Sequence, residues 1–150
     1  MRIFIQRVKM ASVSINGLIK SQIGQGLMVL VGIEEADTQE DIDWLSGKIL
    51  QLRIFSDLEG KMNLSIGDVQ GDLLIVSQFT LHASTKKGNR PSWGRAARGE
   101  VSQPLFEGFV TRLSAALGRP VATGVFGADM QVSLVNDGPV TVAIDSRNPQ

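Results

Sequence analysis

The chain has no cysteine and a single histidine, His82. Without cysteine there are no disulfides, no thiolate metal ligands and no cysteine nucleophile, and one histidine cannot build a histidine–cysteine metal cluster. No metal or cofactor is therefore expected. Long apolar runs are also missing, since none approaches the ~20 residues of a membrane span. The opening segment, Met1-Arg2-Ile3-Phe4-Ile5-Gln6-Arg7-Val8, is broken by Gln6 and Arg7 and reads as a strand rather than a secretory segment. A cytoplasmic protein with no membrane partner is expected. Net charge is absent as well: 15 Lys plus Arg balance 15 Asp plus Glu. A duplex-DNA binder usually carries a basic excess, so no DNA partner is expected. Repeats, linkers and low-complexity tracts are lacking. Gly24-Gln25-Gly26 is too short for a phosphate-binding loop and lies between strands, which excludes a dinucleotide-binding fold.

What is present is a pattern of strands around two helices. The length of 150 residues suits one domain, 1–150, with a real core. Ile3–Val8 reads as a strand. Ala11–Ile15 and Leu18–Ile23 flank Asn16-Gly17, the pair that suits a type I′ hairpin turn. Gly26–Ile33 is a short β-branched apolar run, hence a buried strand. Thr38 or Asp37 caps a helix whose inner face is Ile42, Leu45, Ile49 and Leu52. Asp57-Leu58-Glu59-Gly60 suggests a turn, and Leu73–Leu81 a further buried strand. A second helix is expected from about Ser102, with Pro104 in its first turn, an inner stripe of Leu105, Phe109, Leu113 and Ala116, and a stop at Gly118 and Pro120. Val121–Phe126, Met130–Val135 and Val140–Ile144 complete the strands. The expected fold class is α/β: a single domain of mostly antiparallel sheets forming a partial barrel or sandwich with two main helices.

Two short motifs carry the chemistry. In Ser77-Gln78-Phe79-Thr80-Leu81 an apolar strand, Leu73-Leu74-Ile75-Val76, turns abruptly polar. Strand ends of this kind often floor a site, and the backbone N–H groups of Phe79 and Thr80 are possible oxyanion donors. Local hydrogen bonding at an exposed strand edge explains the same residues equally well. Asn136-Asp137-Gly138-Pro139-Val140-Thr141 reads first as a hairpin turn between two strands. Its Gly-Pro step can also hold backbone carbonyls rigidly in an unusual orientation. His82, just past the first motif, reads as a surface or hydrogen-bonding residue. Acids cluster at Glu34, Glu35, Asp37, Glu40, Asp41 and Asp43, a solvated helix start. From Lys86 to Arg98 every charge is positive: Lys86, Lys87, Arg90, Arg95 and Arg98 form either a solvated loop or a phosphate-contacting patch.

The two motifs together resemble the paired signature of the D-aminoacyl-tRNA deacylases. The resemblance extends over almost the whole chain, through Gln6-Arg7-Val8, Arg53-Ile54-Phe55-Ser56-Asp57, Gly60-Lys61-Met62-Asn63, Gly88-Asn89-Arg90-Pro91-Ser92 and Ala128-Asp129-Met130-Gln131-Val132. It implies a homodimer that hydrolyses the ester joining a D-amino acid, or glycine, to tRNA, without metal or cofactor. It implies that Ser77, Gln78, Phe79 and Thr80 floor the pocket. Gly138-Pro139 would be a cis dipeptide inserted into the partner's active site, Arg7 would support that motif, and Met130 would line the pocket. His82, Ser84 and Trp93 depart from common family residues beside the site. Two other readings stay open from the residues alone: the sister activity that edits L-aminoacyl-tRNA with a trans Gly-Pro, and a non-catalytic nucleic-acid-binding module of the same fold.

Overall fold

The computed structural model describes residues 1–149. Its spine is β1 (Arg2–Ile15), which runs without a break where the sequence suggests two strands. On one edge β1 pairs antiparallel with β3 (Gly26–Gly32) over its first half, and with β2 (Leu18–Ile23) over its second. Asn16 and Gly17 join β1 to β2 with φ of 50° and 78°, the two positive values that a type I′ turn needs. Beyond β3 the sheet continues through β6 (Asp72–Ser77) and β7 (Ala122–Thr123), both parallel to their neighbours. The far edge curls back toward β2, where Ser21 Oγ donates to the Thr123 carbonyl at 2.6 Å. The result is a partial barrel in an α/β domain, with antiparallel pairs in the majority.

Strands β3 and β6 are apolar on both faces because both faces are covered. Leu27, Val29, Val31, Leu73 and Ile75 point to a core shared with the helices, where Ile42, Leu45, Ile49, Phe109 and Leu113 meet them. Met28, Leu74 and Val76 point the other way, into the barrel, against Val8, Val13 and Ile23. Helix α1 (Gln39–Gln51) starts at Thr38, whose N–H donates to Asp41 Oδ2 at 2.8 Å. Asp37 is buried instead beneath the Met1 amino group, 2.5 Å from it. A short ribbon of β4 (Phe55–Ser56) and β5 (Met62–Leu64) flanks the Asp57–Gly60 turn.

Several expectations need correction. Leu73–Leu81 is not one strand: β6 ends at Ser77, and Phe79–His82 form a 3-10 turn. Helix α2 (Gly99–Leu117) begins three residues before Ser102, so Pro104 is its sixth residue and deprives only the Glu100 carbonyl of its intrahelical partner. Its buried side chains are Ser102, Phe106, Phe109 and Leu113, whereas Leu105 is half-buried and Ala116 exposed. Gly118, at φ 78°, ends it. Of Val121–Phe126 only Ala122 and Thr123 form a strand.

The largest correction concerns the last strands. Met130–Val135 and Val140–Ile144 are not a hairpin but parts of one long strand, β8 (Gln131–Asp145), antiparallel to β1 throughout. Register passes from Val8↔Asn136 to Gln6↔Thr141, so Asp137, Gly138, Pro139 and Val140 stand opposite Arg7 alone. They leave the ladder as an outward bulge, with the Gly138–Pro139 peptide bond cis.

Candidate active site

At the carboxyl ends of the parallel strands β3 and β6 lies a cleft of about 310 Å³. Val31, Ile33, Val76, Ser77, Gln78 and Phe79 form one side. The other is the segment from Phe126 to Met130, with Val132, and the entrance of α2 adds Ala97 and Ser102. The cleft is mostly apolar, with polar side chains at Ser77, Gln78 and Ser102 and the exposed carboxylate of Asp129 on the opposite wall.

The end of β6 builds the floor. The Gln78 N–H still donates to the Val31 carbonyl at 2.7 Å, as a further rung of the β3–β6 pairing. The chain then tightens, and the Leu81 and Ala83 N–H groups donate to the carbonyls of Gln78 and Thr80 at 3.3 and 3.1 Å. Phe79 and Thr80 open this turn, where N–H groups have no carbonyl partner inside a helix. The turn rests directly on β3: a Cβ at Gly32 would lie 2.9 Å from Leu81 Cβ, 3.0 Å from His82 Cδ2 and 3.1 Å from the Gln78 carbonyl oxygen. Gln78 Nε2 donates to Thr80 Oγ1, which leaves the threonine hydroxyl engaged. The Phe79 ring is 56% exposed and meets Trp93 edge-on at 5.3 Å.

Met130 lies in the opposite wall, half-buried. A Cβ at Gly124 would come within 2.3 Å of its sulfur, so that glycine makes room for it. Of the sequence-predicted pocket residues, Ser77, Gln78, Phe79 and Met130 thus share one cleft, with Thr80 beside it. The Phe126–Asp129 wall and the contributions of Val31, Ala97 and Ser102 were not foreseen. Gly124 and Gly127, the latter at φ 76°, were the available signs that a strand does not run through there.

Gly138 and Pro139 do not line this cleft. They are exposed at the tip of the bulge. Arg7, 8% exposed, sits beneath them. Its Nε donates to the Asp137 carbonyl at 2.9 Å and lies 3.6 Å from Asp137 Oδ2, while Nη1 donates to the Ile54 carbonyl. Within one chain the two motifs therefore form separate features.

Two expectations about charge also change. His82 is buried, not a surface residue, and neither ring nitrogen completes a hydrogen bond among the described residues. Its Nδ1 is 3.0 Å from Glu34 Oε1 but misaligned for donation. The acidic cluster is not merely solvated. Glu34 pairs with Arg95, Glu35 accepts from the Arg98 N–H at 3.1 Å, and Asp43 meets Arg112 at 3.0 Å. Buried Asp37 pairs with Arg147 at 3.1 Å besides Met1. Lys86, Lys87 and Arg90 stand exposed on the loop between the bridged pair Ser84 and Ser92. Arg98 is exposed at the start of α2, and Arg95 is tied to Glu34. Among the described residues there is no cluster of three or more His, Cys, Asp or Glu that would hold a metal ion, and no helix long and apolar enough to cross a membrane.

The chain is similar to known proteins over nearly its whole length. The family model for D-Tyr-tRNA(Tyr) deacylase matches residues 4–145. A D-aminoacyl-tRNA deacylase of Dechloromonas aromatica is 65% identical over 150 residues, which is 100% of both chains. One of Chromobacterium violaceum is 63% identical over the same full lengths. A solved structure titled c-Myc DNA Unwinding Element Binding Protein is 41% identical, superimposes with a TM-score of 0.92, and is matched over 97% of this chain and 98% of its own.

Proposed function

The chain belongs to the D-Tyr-tRNA(Tyr) deacylase family, and on that premise we propose that it hydrolyses the ester joining a D-amino acid, or glycine, to tRNA, with two copies completing each site. The observation that carries the second half is the separation of the two motifs. The cleft holds Ser77, Gln78, Phe79 and Met130, while Gly138 and Pro139 project from the same chain outside it. A second copy would bring its bulge to the cleft of the first.

Such a site selects by backbone. A hydrophobic pocket separates similar side chains by only about 1–3 kcal/mol, too little to accept many D-residues and reject every L-residue. Gripping the atoms common to all substrates works better. The carbonyls of Gly138 and Pro139 accept hydrogen bonds from the substrate ammonium, and the N–H groups of Phe79 and Thr80 hold the ester carbonyl. With both ends fixed, a D-side chain points outward and an L-side chain is driven into rigid backbone. Glycine has no side chain to exclude.

In the chemical step a water oxygen adds to the ester carbonyl and the negative charge collects on the carbonyl oxygen. Collapse of that intermediate breaks the bond to the ribose oxygen, which leaves with the proton given up by the water, relayed through the vicinal 2′-hydroxyl. An oxyanion donor of this kind is worth roughly 10²–10³ in rate. Covalent attack by Thr80 is disfavoured because its hydroxyl is already engaged by Gln78, and His82 is buried toward Glu34 rather than toward it.

The basic residues Lys86, Lys87, Arg90 and Arg98 would meet tRNA phosphates, with Arg95 partly withheld by Glu34. One 41%-identical relative is named for a DNA element, which raises a duplex-binding module as a second reading. The zero net charge weighs against it.

The test is deacylation of D-tyrosyl-, glycyl- and L-alanyl-tRNA by purified protein, with and without a chelator. Release of D-tyrosine and glycine but not L-alanine, indifferent to the chelator and largely kept in Thr80→Ala, is expected. Rapid L-alanyl-tRNA cleavage, or an aminoacyl adduct on Thr80, would overturn the reading.

A further inference from the structure

The bulge on β8 poses a mechanical problem. Four residues, Asp137 to Val140, face a single residue of β1, so the regular ladder does not hold them. A loop meant to present carbonyls at fixed positions needs another fastening for each arm. The first arm has one: Arg7 Nε donates to the Asp137 carbonyl at 2.9 Å.

The second arm is fastened by Asn136. Its Oδ1 accepts the Val140 N–H at 2.8 Å, and its Nδ2 donates to Thr141 Oγ1 at 3.1 Å. One side chain thus spans the base of the loop and grips the two residues after Pro139. Gln6 Nε2 approaches the same threonine oxygen at 3.4 Å and links the clip to β1. Only an amide of this length both accepts from Val140 and donates to Thr141. Serine is too short, leucine does neither, and a carboxylate only accepts.

Resting on the reading that Gly138 and Pro139 grip the substrate, we propose that Asn136 is a positioning residue whose amide clips the bulge shut and so fixes the two carbonyls. Both polar atoms of the Asn136 amide are spent on the loop, so the residue acts through Gly138 and Pro139. It lies half-buried on an outer strand and belongs to neither apolar core. Its removal should therefore disturb selectivity more than folding.

The experiment compares wild type with Asn136→Ala, Asn136→Asp and Thr141→Val. Each is assayed for kcat and KM on D-tyrosyl-tRNA and for cleavage of L-alanyl-tRNA, beside thermal denaturation. Misplacing a binding group by about 1 Å costs about 100-fold, so Asn136→Ala should lose about 10- to 100-fold in kcat/KM on D-tyrosyl-tRNA and gain L-alanyl-tRNA cleavage relative to it. Asn136→Asp retains the acceptor for Val140, and Thr141→Val retains that same bond while losing the other. Both should fall between Asn136→Ala and wild type. Melting temperatures should not follow this order. Unchanged selectivity in Asn136→Ala, or losses that track melting temperature across the three variants, would overturn the proposal while wild-type activity stands. A wild type inert on D-tyrosyl-tRNA would instead sink the parent reading, and the clip with it.

Discussion

Gly32 is the residue on which the turn from Phe79 to His82 rests. The need for glycine there is one of space. An added methyl would meet Leu81 Cβ, His82 Cδ2 and the Gln78 carbonyl oxygen, all at 2.9 to 3.1 Å. None of these is the free end of a flexible chain, so the turn must lift by a few tenths of an ångström. Overpacking of this kind costs about 1–3 kcal/mol. Gly32→Ala is expected to lower kcat on D-tyrosyl-tRNA about tenfold or more, because the Phe79 and Thr80 N–H groups move with the turn. Urea unfolding beside steady-state kinetics checks this: a variant destabilised by that amount but with unaltered kcat would remove the turn from catalysis. The same packing explains His82. It fills space against β3 and beside Glu34, and the proposed chemistry leaves it no task.

Among elements, the loop from Ala83 to Arg98 makes the most testable contribution. Neutralising Lys86 and Lys87 together should reduce the slope of log K against log salt for tRNA binding by about 0.7 to 0.9 for each phosphate no longer neutralised. Arg95→Gln should change it less, since Arg95 already neutralises Glu34. Filter binding at several salt concentrations measures both, and an unchanged slope in the double variant would return the loop to plain solvation. Elements also differ in how far the sequence discloses them. Asn16-Gly17 fixes its hairpin because both positions need positive φ, a purely local requirement. Helix α1 is readable from its cap and its apolar spacing. The motif residues Ser77, Gln78 and Phe79 are readable as a floor because polarity changes abruptly at Ser77. Their conformation is not, since Leu81 prolongs an apolar pattern that does not distinguish a strand from a tight turn. Nor is β8. Asn136-Asp137-Gly138-Pro139 between two β-branched runs looks locally like a hairpin, and what overrides it is a long partner, β1, that pairs with both halves. The Phe126–Met130 wall is hidden because the sequence suggests strands on either side of it, Val121–Phe126 and Met130–Val135, whereas only Ala122 and Thr123 of the first pair with β6.

At the scale of the whole molecule, the segment after β8 returns to both α1 and β1. Burial pushes the Asp41 carboxyl up, but hydrogen bonds from Ser146 Oγ and the Thr38 N–H outweigh it and leave it below its ordinary value of 3.8. Burial likewise raises Asp145, and Arg2 with the Arg147 N–H brings it below the same value. A carboxyl depressed by folding adds stability above its unfolded pKa, and that contribution disappears as pH falls through the folded pKa. The melting temperature should therefore be level above about pH 5 and drop below about pH 4, less steeply in Asp41→Asn. A decline that begins near neutral pH would point to other groups. The pairing of β1 with β8 has a further consequence, in time rather than space. Arg2 lies opposite Asp145 and Ser14 opposite Gln131, so β1 leaves a ribosome long before the strand it pairs with. Until β8 is made, β1 has a bare edge and the bulge with its Gly-Pro tip does not exist. Pairings so distant in sequence are slow to form. A chain synthesised only as far as α2 lacks both the bulge and the Phe126–Met130 wall of the cleft.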